Sequence, residues 1–264
     1  MSEKKRKMKW TVESEVLENL WVPPRPMGLA RAIAKAGYAT RAKAEDMVRS
    51  GRVKVAGKVN TDPATTVCAD SDILLDEQPL LELLRRYFAF HKPLKVISTP
   101  SDPGGRRQIA DFFPREIPGL MVAGRLDANT TGLMLVSNDS VWNDMAAGCS
   151  NLEKEYEIKV TGHITEMEIG IILAGMHLPS LGFMRPKSVL IREVADSYTQ
   201  LHLVMTEGKN RQVRKVFNAL RHDVITLCRT RIGSVKLGNL PEGKLRPLTR
   251  EEVESIRLVA LGNR

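Results

Sequence analysis

Past residue 26 the apolar positions first recur at helical spacing and then alternate as strands. Leu29, Ile33 and Ala36 lie three to four apart and Gly37 follows, which predicts a short helix closed by a glycine. Thr40 is placed to cap a second helix whose buried side carries Ala44, Met47 and Val48, with Gly51 at its end. Two short strands, 52–55 and 59–61, flank Ala56-Gly57-Lys58 and read as a tight hairpin, and 73–75 adds another strand. From 85 to about 258 the pattern predicts strands at 87–90, 95–98, 133–137, 156–160, 201–206 and 224–229. Helical spacing recurs at 139–147, 165–174, 210–220 and 250–257. Strands dominate and helices interrupt them irregularly. That order predicts an α+β chain, with a small α-then-β module at 27–80 and a larger domain at 85–258 built on a mainly antiparallel sheet.

Composition sharpens this outline. A chain of 264 residues with 42% hydrophobic content supports one large domain or two unequal ones. Forty Lys and Arg against 31 Asp and Glu leave a formal charge of +9, which favours a polyanionic partner. The excess is concentrated. Between residues 25 and 60 stand Arg25, Arg31, Lys35, Arg41, Lys43, Arg49, Arg52, Lys54 and Lys58 against only Glu45 and Asp46. A dense basic patch on a small unit is the expected footprint of an RNA-binding module. Residues 1–26, with Lys4, Lys5, Arg6, Lys7 and Lys9 and a Pro-rich end, read as a flexible basic tail that either grips RNA nonspecifically or is merely solvated.

Several classes of chemistry find no support. Cys68, Cys149 and Cys228 form no CxxC pair, and the five histidines show no HExxH spacing, so no metal site is expected. There is no GxGxxG signature and no P-loop, so no nucleotide cofactor is expected either. No apolar run is long enough for a membrane span and the N-terminus is no secretory signal, which predicts a soluble, cytoplasmic protein.

Three segments could carry chemistry. In 124–136 a polar loop with Asp127 at its centre is bracketed by Gly124 and Gly132 and runs into an apolar strand. Beside Arg125, Asp127 could be a positioned nucleophile or base, or simply a capping residue. In 152–160 Tyr156 sits among charges on a strand, either a half-buried aromatic or a stacking surface. In 206–217 the residues Val213, Val216, Phe217 and Leu220 share one helical face. On that wheel Arg211 and Lys215 point away from the core, and Arg214 lies at its border, where a guanidinium needs a partner.

These segments also resemble known families. AKAGYATRAKAEDMVRSGRVKVAGKV is similar to the S-four-type RNA-binding domain. GRLDANTTGLMLVSND closely resembles the active-site motif of the pseudouridine synthases, and within them the RsuA-type branch that acts on ribosomal RNA. The segment around Lys154-Glu155-Tyr156 matches the K-x-Y motif, and EGKNRQVR matches EGxxRQVR. HKPLKVISTPSDPGGRR resembles the start of that domain, with Leu94-Lys95 in place of a glycine-containing turn. The likeness spans roughly residues 29–257. It implies a pseudouridine synthase fold and a reaction that needs no cofactor. It implies Asp127 as the catalytic carboxylate, Tyr156 stacked on the flipped base, and Arg214 paired with Asp127. Arg125, Lys209, Arg211 and Lys215, with Arg31, Lys35, Arg41, Lys43, Arg49, Arg52, Lys54 and Lys58 of the basic module, are read as RNA contacts. The implied partner is ribosomal RNA of either subunit, free or in a preribosomal particle, bound by a monomer. The competing readings are a noncatalytic RNA-binding assembly factor on the same fold and a nuclease. The trio Asp127, Tyr156 and Arg214 argues against the first. The second would need clustered carboxylates, and only Asp139 and Asp144 lie near Asp127 in sequence.

Overall fold

The computed structural model describes residues 26–68, 71–80, 85–99 and 105–262; the basic tail, but for Pro26, lies outside them. The first unit runs β1 (Met27–Gly28), α1 (Leu29–Ala36), α2 (Arg41–Arg49), β2 (Val53–Val55), β3 (Lys58–Val59), β4 (Thr66–Val67), β5 (Ile73–Leu75) and β6 (Gln78–Pro79). Gly37 closes α1 in the left-handed conformation, and the Thr40 side chain accepts the Lys43 N–H to start α2. Ala56 and Gly57, both at positive φ, turn β2 back into β3. Leu29, Ile33, Ala44 and Val48 are wholly buried against Val53 and Val67. This small core holds a four-stranded sheet in the order β3-β2-β5-β6 under two helices.

The second unit contains β7 (Tyr87–Lys92), β8 (Met121–Ala123), β9 (Thr131–Ser137), α3 (Ser140–Gly148), β10 (Lys154–Thr161), α4 (Glu166–Ala174), β11 (Met176–Leu178), β12 (Gly182–Met184), β13 (Ser188–Ala195), β14 (Tyr198–Met205), α5 (Gln212–Ala219), β15 (Val224–Ile232), β16 (Val235–Lys236), β17 (Leu245–Pro247) and α6 (Arg250–Leu261). Its nine-stranded sheet runs β13-β14-β10-β15-β9-β7-β17, with β16 beside β15 and β8 beside β9. Pairing is antiparallel except between β15 and β9. That parallel junction joins two halves with separate cores. Ile158, Leu201, Leu203, Val216 and Phe217 fill one, and Leu133, Leu135, Trp142 and Ile256 fill the other. Helices α4 and α6 both open with capping boxes, from Thr165 to Glu168 and from Thr249 to Glu252.

Two sequence expectations change. Residues 95–98 form no strand, because Lys95 turns the chain at φ 61°; only an isolated bridge from Ile97 to Gln108 remains. The helix expected at 210–220 begins at Gln212, because Arg211 is its N-cap in left-handed conformation. The two units are joined through Arg85, whose guanidinium donates to the Lys35 carbonyl at 2.7 Å and the Asn138 carbonyl at 3.2 Å.

Candidate active site

The β8–β9 loop places Asp127, and neighbouring groups hold the carbonyls of Leu126, Ala128, Asn129 and Thr130 around it. Ser98 Oγ donates to the Leu126 carbonyl at 2.8 Å and accepts the Leu126 N–H. Lys92, wholly buried, donates through Nζ to the carbonyls of Thr130 and Pro93 at 2.8 and 2.9 Å. The Lys95 N–H donates to the Ala128 carbonyl at 2.8 Å. Arg214 Nη2 donates to the Asn129 carbonyl at 2.6 Å. Leu126 plugs the core beneath, so the loop is held from below while the Asp127 side chain stays 36% exposed. A carboxylate displayed on so rigid a loop needs little reorganisation to react.

Gly132 makes this loop possible. Its φ is 107°, and a Cβ there would lie 2.3 Å from the Arg229 carbonyl oxygen. Only glycine lets β9 approach β15 this closely, with Cys228 opposite Thr131 and Arg229 opposite Gly132.

Asp127 faces a cleft of about 560 Å³ between this loop, β10, β15 and the segment leading into α5. Tyr156 contributes to its wall from β10, with the residue only 6% exposed. Asp127, Tyr156, Arg214, Arg125, Lys209 and Arg211 all line this one cleft.

The pairing differs from the one the motif implied. Arg211 Nη1 lies 3.8 Å from the Asp127 carboxylate. Arg214 instead donates to the Val224 and Asn129 carbonyls, and burial pushes its pKa down. The cause is the helix start. As a left-handed N-cap, Arg211 leaves the helical wheel on which it would point outward, while Arg214 stays in the first turn against the loop backbone. Lys215 lies outside the cleft lining; it donates to Ser180 Oγ at 2.7 Å, and Lys209 donates to the Leu181 carbonyl at 3.2 Å, so both tether the β11–β12 hairpin.

The basic module is also partly neutralised. The β2–β5 register brings Asp76 beside Arg52 and Glu77 beside Lys54, with bonds of 2.8 Å in each pair. Glu45 takes Arg41 and Arg49. Asp62, Asp70, Asp72, Asp76 and Glu77 all fall just beyond the basic window, so 27–80 holds eight basic residues against seven acidic ones. Among the described residues, Arg31, Lys35, Lys43 and Lys58 remain without an ion-pair partner.

Three residues had no role assigned from sequence. Lys92 clamps the loop, and Lys154 and Arg229 sit in the cleft with Tyr156. Lys92 and Lys154 stood within quoted motifs, but their burial has no local sequence signal. Burial holds the pKa of each lysine down to about 8.

Residues 86–219 match the model of the RNA pseudouridylate synthase family and residues 27–73 that of the S4 domain. The chain belongs to the RNA pseudouridylate synthase family. It is 34% identical over 234 residues to ribosomal large subunit pseudouridine synthase B of Bacillus subtilis (strain 168), covering 88% of this chain and 96% of that protein. It is 32% identical to ribosomal small subunit pseudouridine synthase A of Pseudomonas aeruginosa, over 87% of this chain and all of that protein. A crystal structure of a pseudouridylate synthase superposes with a TM-score of 0.60 at 27% identity, covering 87% of this chain and 99% of that one. The synthase is thus an isomerase of α+β fold with an S4 domain at its N-terminal side. No helix among the described residues is long and apolar enough to cross a membrane.

Proposed function

We propose that this synthase isomerises a uridine of ribosomal RNA to pseudouridine, with Asp127 as the carboxylate that acts on the ribose. The observation that carries this reading is the placement of Asp127, held by Arg211, at the rim of a cleft walled by Tyr156. A base inside folded RNA cannot reach such a cleft unless it is extruded, and the Tyr156 ring offers a surface that replaces lost stacking. Asp127 serves as nucleophile or as stabiliser of the detached-base stage. Arg211 orients it directly, and Arg214 orients it through the Asn129 carbonyl. Arg31, Lys35, Lys43 and Lys58 of the S4 domain, with Arg125 at the cleft, supply phosphate contacts. The protein works as a monomer on rRNA of one subunit, free or in an assembling particle.

Tritium release from rRNA labelled at uridine C5 tests this, with Asp127→Asn as control and transcripts of both subunits as substrates. Release from one transcript, abolished in the variant while RNA affinity is retained, is the expected result. Full activity in Asp127→Asn would remove the assignment.

A further inference from the structure

The inner wall of the cleft holds two cations, Lys154 and Arg229, that no carboxylate neutralises among the described residues. Lys154 and Tyr156 are two apart on β10 and pair with Met205 and Leu203 of β14 in regular register, so they share a face. On the other side β15 carries an extra residue. The register passes from Glu155 opposite Arg231 to Tyr156 opposite Arg229, leaving Thr230 unmatched. In an unbroken strand Arg229 and Arg231 would share a face. The bulge turns them to opposite faces. Arg231 binds Glu153 and Glu155 on the far side at 3.1 and 2.7 Å. Arg229 is delivered to the cleft side, beside Tyr156, and is 5% exposed.

Among the described residues neither cation has a carboxylate partner, and the acidic group that acts on Lys154 is the Cys149 thiol. Arg229 Nε donates to the Leu133 carbonyl at 2.8 Å, and its Nη2 is buried with no hydrogen-bond partner. Lys154 Nζ donates to the carbonyls of Leu152 and Thr206 at 2.9 and 3.1 Å, which leaves one of its three N–H groups unused. Each feels the other's charge, so Lys154 is pushed down by burial and by Arg229 together. Two buried like charges without a counter-ion destabilise a fold, and they persist where an anion is to be met. Arg125 and Arg211 are much more exposed, and on the proposed function they meet the phosphates of a bound strand. What reaches the buried wall beside Tyr156 is the base.

We infer that Lys154 and Arg229 form an anion subsite for the pyrimidine base itself, with Lys154 as a catalytic residue that donates to the detached base and Arg229 as the charge behind it. This rests on the proposed function. When the C1′–N1 bond breaks, its electron pair leaves with N1, and the negative charge spreads over N1, O2 and O4 while the ribose carbon faces Asp127. C5 then bonds to C1′, the C5 proton leaves and N1 regains a proton, so the charge exists only between the two bonds. Fixed cations aimed at a transient charge lower the barrier without tightening the ground state.

Lys154→Met, which keeps the stem and removes the charge, tests this in the full chain. Removal of a comparable donor lowers kcat by roughly 10²- to 10³-fold. That fall is expected here, with the KM for RNA and its salt dependence unchanged. A raised KM with a shallower salt slope and intact kcat would make Lys154 a backbone-phosphate contact and overturn the inference, as would unchanged kinetics. Binding of barbiturate, a pyrimidine that is an anion at neutral pH, is read independently of turnover. The wild type should prefer it to uracil and lose the preference in Lys154→Met. Equal binding of the two by the wild type overturns the subsite even if the variant does not fold. Absence of tritium release from the wild type would instead count against the proposed function, leaving the binding result to judge the subsite.

Discussion

Replacing Gly132 by alanine probes the junction on which the site is built. The new Cβ would sit 2.3 Å from the Arg229 carbonyl oxygen and 2.5 Å from its nitrogen, both backbone atoms in the middle of the sheet. It would also occupy φ 107°, a conformation L-residues rarely adopt. The backbone strain costs about 1–2 kcal/mol, and separating two packed strands about 1–3 kcal/mol more. The stiffer unfolded chain returns about 0.4–1 kcal/mol. The net loss is roughly 2–4 kcal/mol, or a melting temperature lower by roughly 5–15 °C for a domain of this size. Gly57→Ala is the matched control. Its φ is 74°, but nothing lies within 4 Å of the added Cβ, so only the strain remains. Calorimetry on the two variants separates clash from conformation. Widening the β9–β15 gap also displaces Asp127 and Arg229 relative to each other, and a shift of about 1 Å should cost about 10²-fold in turnover. If Gly132→Ala melts within a degree or so of Gly57→Ala and keeps its activity, the close approach is not what shapes the site.

Alanine at Lys43 or Lys58 should weaken RNA binding and reduce the salt slope by about 1 each, whereas Arg52→Ala and Lys54→Ala, whose charges Asp76 and Glu77 already meet, should change it less in filter-binding titrations. Arg214→Ala leaves the Asn129 and Val224 carbonyls unmet and should destabilise by about 1–3 kcal/mol in denaturant titration; Arg211→Ala should fold as well as wild type and lose turnover. Lys92 and Lys154 titrate near 8 in the folded protein against 10.5 for an ordinary lysine. Above about pH 8 the unfolded chain therefore binds more protons, so this contribution to stability rises with pH. Tyr87, held up at about 12 by burial and Asp139, opposes it only above 10. Denaturation midpoints of Lys92→Met and wild type measured from pH 8 to 10 should show the smaller upward contribution in the variant.

Local pattern was sufficient where the determinant is local. The Thr40 cap, the Gly37 stop, the Ala56-Gly57 turn and the apolar face of α5 are all short-range features, and each forms where the spacing placed it. The motif around Asp127 likewise marked the loop that lies at the cleft. Strands with weak alternation, such as Ser188–Ala195 and the Met176–Leu178 hairpin arm, had no comparable signal, because their neighbours across the sheet decide their burial.

What the sequence by itself determined was the α+β order of elements, the family motifs and a set of candidate site residues. Which charge meets which was decided only in three dimensions. Asp76 cancels Arg52 because an antiparallel register sets residues 24 apart side by side. Arg211, not Arg214, reaches Asp127 because one left-handed residue starts the helix two positions late. Arg229 faces the cleft and Arg231 does not because one unmatched residue reverses the alternation of β15. Electrostatic contact falls off over a few ångströms and depends on side-chain direction, and both are set by strand pairing and bulges that bring together residues far apart in the chain.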